Sequence, residues 1–248
     1  VSATQTSIVT ANGGDYGAAV AFAGGVVRAE SSGIYLELGS AGTGLEWVDD
    51  EEMGDGSFAN TGVINSNAGA RIVQTVHAAA DDGYALAVAE VYGSESFEDD
   101  DADAFAYGIR IEAYEETAYF AGSVINTGNV IATSRLSADI EARATVDEGD
   151  EEDTAAGAMA GGYFSAGAEG FHIEDAEIDG EFLNDADIAG RAYVETDVSA
   201  YANSDDSPAI AIIGSHFYPV DEFSFEPDAV SYLVSGGIGL QIIDTYIG

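Results

Sequence analysis

Carboxylates are the one chemically active side chain this sequence supplies in quantity: 46 Asp and Glu stand against six Arg, three His, no Lys and no Cys. Two acidic runs concentrate them, Asp99-Asp100-Asp101-Ala102-Asp103 and the stretch from Asp147 through Asp150 to Asp153. Calcium takes about six to eight oxygen ligands, largely carboxylate and carbonyl. Asp99, Asp100, Asp101, Asp103, Asp147, Asp150 and Asp153 are therefore candidate Ca²⁺ ligands. Neither run matches an EF-hand loop or a calcium-binding nonapeptide repeat. The simpler reading is a solvated acidic surface that holds cations without fixed geometry.

Other chemistry is poorly supplied. His77, His172 and His216 are far apart, and none has a partner at the short spacing that zinc sites use. No cysteine is present to ligate metal or form a disulfide. The Gly39–Gly44 stretch lacks both the spacing and the lysine of a phosphate-binding loop. Paired carboxylates serve glycosidases, but with so many acids any fold places pairs at that distance. Trp47 is the sole tryptophan, so an aromatic sugar platform is not evident. No catalytic residue stands out, and no enzyme is expected.

The elements that must carry these side chains are strands. Ile and Val number 19 each against eight Leu, joined by 13 Tyr and 11 Phe, and stiff branched side chains suit a pleated surface. From Val130 to Val146 apolar and polar residues alternate without a break, Val130, Ala132, Leu136, Ile140 and Val146 on one face and Arg135, Asp139, Glu141 and Arg143 on the other. Tyr84, Leu86 and Val88 alternate with Ala85, Ala87 and Ala89, and Phe105, Tyr107, Ile109 and Ile111 with Ala104, Ala106, Gly108 and Arg110. A face of small residues lets a second layer or a neighbouring molecule approach closely, or else faces solvent.

Short acidic turns separate these runs, and Thr127-Gly128-Asn129 reads as a tight hairpin. Parallel pairing needs long crossovers, so the expectation is an all-β, mainly antiparallel meander or sandwich. No repeat of fixed period is evident and no linker divides the chain. We expect a single β domain over 1–248, looser and Gly/Asn-rich over 1–80, a regular acidic meander over 81–206, and apolar strands over 207–248.

A net charge of −40 repels phosphate, so nucleic acid is not an expected partner. No apolar run is long enough for a membrane helix. The first residue is Val rather than Met, which suggests a processed, exported chain. Self-repulsion on this scale calls for dense counterions, bound divalent cations or assembly contacts. Both ends of the sequence look suited to assembly: Val1, Ile8 and Val9 at the start, and Val230, Tyr232, Val234, Ile238, Leu240, Ile242 and Tyr246 at the finish. Apolar strands there must be covered, within their own sheet or by a neighbouring subunit.

An acidic, Lys-free, Cys-free, Ala/Gly/Tyr-rich chain of long alternating strands resembles archaeal extracellular self-assembling proteins, such as the major sheath proteins of methanogens and surface-filament subunits. The resemblance lies in composition and strand pattern and transfers no functional residue. It implies self-association into a sheath, surface layer or filament outside the cell. No cofactor is expected apart from Ca²⁺ or other cations. The rival expectations are a capsid or spike protein of an archaeal virus, or a secreted binding module or hydrolase adapted to brine.

Overall fold

In a computed structural model the described residues are 1–13, 17–38, 58–81, 83–91, 102–113, 118–120, 122–147, 154–178, 180–204, 208–214, 217–221, 224–227, 232–243 and 245–247. The expected strands are present, but the chain winds where a meander was expected. A first coil contains β1 (Ser2–Gly13), β2 (Gly17–Ala23), β3 (Arg28–Leu38) and β4 (Phe58–Asn60). A second contains β5 (Ile64–Ala80), β6 (Gly83–Val91), β7 (Ala102–Ala113), β8 (Ala118–Phe120) and β9 (Val124–Asn126). A third contains β10 (Val130–Val146), β11 (Ala155–Glu174), β12 (Ala176–Ile178) and β13 (Phe182–Asn184). The last contains β14 (Ile188–Ser204), β15 (Ala209–Gly214), β16 (Phe217–Asp221), β17 (Ser224–Pro227), β18 (Tyr232–Ile243) and β19 (Tyr246–Ile247).

Each coil adds one rung to each stacked sheet. Sheet A runs β1-β5-β10-β14. Opposite it, sheet B (β2-β6-β11-β15) and sheet C (β3-β7-β11-β18) share the long strand β11. Two small sheets, β4-β9-β13 and β8-β12-β19, close the circuit. Among the described residues every pairing is parallel except that of β16 with β17. The antiparallel meander or sandwich is thereby overturned. Consecutive strands lie in different sheets, so a short turn suffices, and the parallel partner arrives one whole coil later. The supposed hairpin at Thr127-Gly128-Asn129 is such a corner: it joins β9 to β10, which do not pair.

The alternation drives this packing. In β10 the even-numbered residues from Val130 to Val146 are all buried. From Ala132 onward the apolar ones meet Ala85, Ala87 and Ala89 of β6, Ala102, Ala104 and Ala106 of β7, and Ala156, Ala158, Ala160, Ala166 and Ala168 of β11 in one core. The small-residue faces thus admit the second layer. A second core lies beyond it, built from Ile109, Ile111, Val124, Val130, Phe171, Ile173, Ala176 and Ile178.

Sheet C serves both cores by changing which face of its strands points inward. Ala104 and Ala106 enter the first core, whereas Ile109 and Ile111 enter the second; β11 does the same with Ala166 and Ala168, then Phe171 and Ile173. The switch falls at Gly33, Gly108, Gly170 and Gly239, which the register stacks in one column. There the sheet presses on Ile64, Val130 and Ile188 at the start of sheet A. A Cβ on Gly108 would collide with the Gly170 carbonyl and the Val130 side chain, and one on Gly170 with Ile188.

A polar column pins the corner that leads into sheet A. Asn60 Nδ2 donates to Asn126 Oδ1 at 2.7 Å, and Asn126 Nδ2 to Asn184 Oδ1 at 2.6 Å. Asn126 is fully buried, so this ladder satisfies amides that would otherwise cost a kilocalorie or more each, on the order of 1–3 kcal/mol.

Candidate functional site

The densest cluster of titratable groups lies on the outer face of sheet C, astride the glycine column. A regular strand would put Glu169 and His172 on opposite faces. The switch at Gly170 brings them together: His172 Nδ1 lies 2.6 Å from Glu169 Oε2, and its Nε2 lies 3.0 Å from Glu174 Oε2. With its amide nitrogen turned toward Glu169, Gln241 of the next coil donates to Oε1 at 2.7 Å and Oε2 at 3.0 Å. In the preceding coil Arg110 bonds Glu112 at 2.7 Å and Glu30 at 3.1 Å. Its guanidinium stacks over Tyr107 at 4.6 Å and Tyr35 at 5.4 Å, and the Tyr107 ring meets His172 edge-on at 5.4 Å.

The electrostatics follow from that geometry. Hydrogen bonding to Glu169 holds His172 above the usual histidine range, burial opposes this, and Glu174 adds to the rise. Burial pushes the Tyr107 phenol up to about 12; Arg110 works against the shift and Glu169 with it. Burial works against the Arg110 charge too, but Tyr107, Glu112 and Glu30 outweigh it and hold the guanidinium above its ordinary value.

Chemically, the cluster is satisfied within itself except at the buried Arg110 Nε. Both nitrogens of His172 are occupied by carboxylates, Arg110 is held by two more, and Glu169 is capped by Gln241. The arrangement is a cross-coil clamp: Glu30 comes from the first coil, Arg110 and Glu112 from the second, Glu169, His172 and Glu174 from the third, Gln241 from the fourth. Among the described residues no group of His, Asp and Glu is arranged to hold a metal ion.

Of the expected calcium ligands, Asp103 and Asp147 lie among the described residues. Asp103 is the second residue of β7 and accepts from the Ser165 hydroxyl. Asp147 is exposed just beyond β10, where its N–H donates to the Ala80 carbonyl at 3.1 Å. Asp99, Asp100, Asp101, Asp150 and Asp153 lie outside the described residues, as do His216, Trp47 and the Gly39–Gly44 stretch.

The expected assembly residues fall on the end coils. Ile8 points outward from β1 and Val9 half-inward; Val1 precedes β1 and is exposed. Ile238, Leu240 and Ile242 are exposed on β18, Tyr232 and Val234 belong to that strand, and Tyr246 pairs with β12 through Glu177. Val230 is outside the described residues. β1 and β14 each pair on one side only.

Sequence reasoning passed over the clamp and the asparagine ladder. Phe58-Ala59-Asn60-Thr61-Gly62, Val124-Ile125-Asn126-Thr127-Gly128 and Phe182-Leu183-Asn184-Asp185-Ala186 share a visible pattern at these corners. That pattern is the signal for the ladder, and with it for the coils. Among the described residues no helix is long and apolar enough to cross a membrane. No protein-family model, curated protein or solved structure matches this chain.

Proposed function

We infer that this is an extracellular structural protein whose copies add end to end, continuing the coil stack into a filament, sheath or layer. The reading rests on one observation: both ends of sheet A are open ladders of the same polarity, β1 at one end and β14 at the other. A directional stack joined end to end makes a heterologous contact, which repeats without closing. Continuing the columns of sheet A would set Val194, Val198 and Ala200 of one copy against Ala3, Ser7 and Val9 of the next. These positions are half-buried in their end coils, and the joint would bury them while satisfying backbone groups. Cations among the acidic turns relieve the repulsion between copies.

Inward-pointing lysines block strand edges, which gives a direct test. Val198→Lys and Ser7→Lys should each abolish long assemblies in electron micrographs and sedimentation. Mixed together, they should form one end-to-end joint and then stop. A wild-type chain that remains a 25.5 kDa particle at every concentration and salt would overturn the reading, as would variants that elongate normally.

A further inference from the structure

The outer face of sheet A differs in charge from the rest of the molecule. Its four strands hold four of the six arginines but only four of the 46 acidic residues. The whole net charge of −40 therefore falls elsewhere in the chain. Arg71, Arg135, Arg143 and Arg191 all project to solvent. Among the described residues no carboxylate pairs with any of them. Arg135 and Arg143 instead lie over the rings of Tyr193 and Tyr201, at 5.1 and 5.0 Å. In so acidic a chain, this face can approach another copy without net repulsion.

The charges are also patterned. Arg191 sits level with Thr133, Arg135 two residues further along, and Arg71 level with Ser137, so three arginines form a diagonal across the coils. Glu195 and Asp139 form a second, parallel diagonal four residues on, about 13 Å along the strands. We propose that this face is a lateral contact surface occupied by a second copy of the chain, face to face across a two-fold axis. An axis lying in the face, midway between the diagonals, sets Arg135 and Arg71 of each copy against Glu195 and Asp139 of the other. Four strands spaced ~4.8 Å and sharing the 12 residues of β1 offer a patch of roughly 750 Å². That is close to the ~800 Å² per partner of a stable complex. This contact is separate from the end-to-end joint and does not depend on it.

The test uses the full chain carrying Val198→Lys, which removes end pairing and leaves the face intact. Sedimentation should show a concentration-dependent dimer. Adding Arg71→Glu and Arg135→Glu should weaken it about 100-fold or more, as should Asp139→Arg with Glu195→Arg. Mixing the two charge-reversed proteins should restore a heterodimer. All four side chains are at least partly exposed, and unchanged thermal melting would show that the fold survives. A Val198→Lys protein that stays monomeric at millimolar concentration, or charge-reversed proteins that fail to recover on mixing, would overturn the proposal and leave the end-to-end reading standing.

Discussion

Sheets A and C are wound from the same coils yet solve opposite problems. Strands β5, β10 and β14 of sheet A keep one inward face over 17 residues each, and their charged groups all point to water. Sheet C changes its inward face midway, serves two cores, and carries an ion cluster sunk against its surface. An unbroken alternation yields a flat face whose charges are free to meet another molecule. A broken one draws charges from three coils together, with an amide from the fourth, and pairs them with one another.

The sharpest way to break that comparison is to add one methyl group to each sheet. Gly108→Ala drives a Cβ into the Gly170 backbone and Val130, where the backbone itself must move. The expected loss is about 3 kcal/mol or more. In sheet A, a Cβ on Gly69 meets only the Ser2 Cβ at 4.0 Å, so Gly69→Ala should be neutral or stabilise by up to ~1 kcal/mol. Urea melts of the two variants check both. Equal losses would mean that the glycine column is not a hinge in the packing.

Removing Asn126 tests the corner that both sheets depend on. Asn126→Ala leaves Asn60 Nδ2 with only the Gly128 carbonyl at 3.3 Å and deprives Asn184 of its donor. A loss of about 2 kcal/mol is expected, with amide exchange accelerating at Thr127 and Asp185, whose N–H groups donate across the same coils.

Period-two alternation located β10 and its inward residues, because a single buried face is all that such a strand must satisfy. It could not give the strand's partners. The same alternation serves parallel and antiparallel ladders, and the sequence interval between partners is not constant: Ser2 pairs with Gly69, Ile64 with Val130, and Val130 with Ile188. A repeat of drifting length escapes a search for a fixed one, although the Asn-Thr-Gly corners at 60–62 and 126–128 mark it. The clamp was less legible still. Glu169, His172 and Glu174 share a face only because Gly170 breaks the pleat, and Arg110 reaches them only through coil stacking.

The clamp should make sheet C sensitive to pH. His172 is held above its usual value of 6.5, chiefly by Glu169. The groups facing it are Glu169 and Glu174 on its own strand, Tyr107 on β7 and Gln241 on β18, with Arg110 and Glu112 in register beside it. A raised folded value means the charged imidazole binds its proton more tightly in the fold. Its contribution is therefore complete below about 6.5 and is lost as pH rises through the raised value. The wild-type urea midpoint should fall across that alkaline window. His172→Gln should flatten the fall and cost about 1–2 kcal/mol at pH 6; an unchanged pH profile would show that the imidazole carries no charge there.

The finest discriminator, and at Arg135 the smallest effect expected, comes from two arginines that both stack on tyrosine. Arg110 adds two carboxylates to its stacking on Tyr107, and its side chain is only 22% exposed. Arg110→Gln strips the counter-charge from Glu30 and Glu112 and should cost about 1–3 kcal/mol. Arg135 has only Tyr193 beneath it, on an open face, where a cation–π contact contributes about 0.5–1 kcal/mol. Arg135→Gln should therefore move the melt very little while weakening lateral association. If the two substitutions destabilised the fold alike, the arginines of sheet A would be structural, and the division between a face that stabilises the coils and a face that meets other copies would fail.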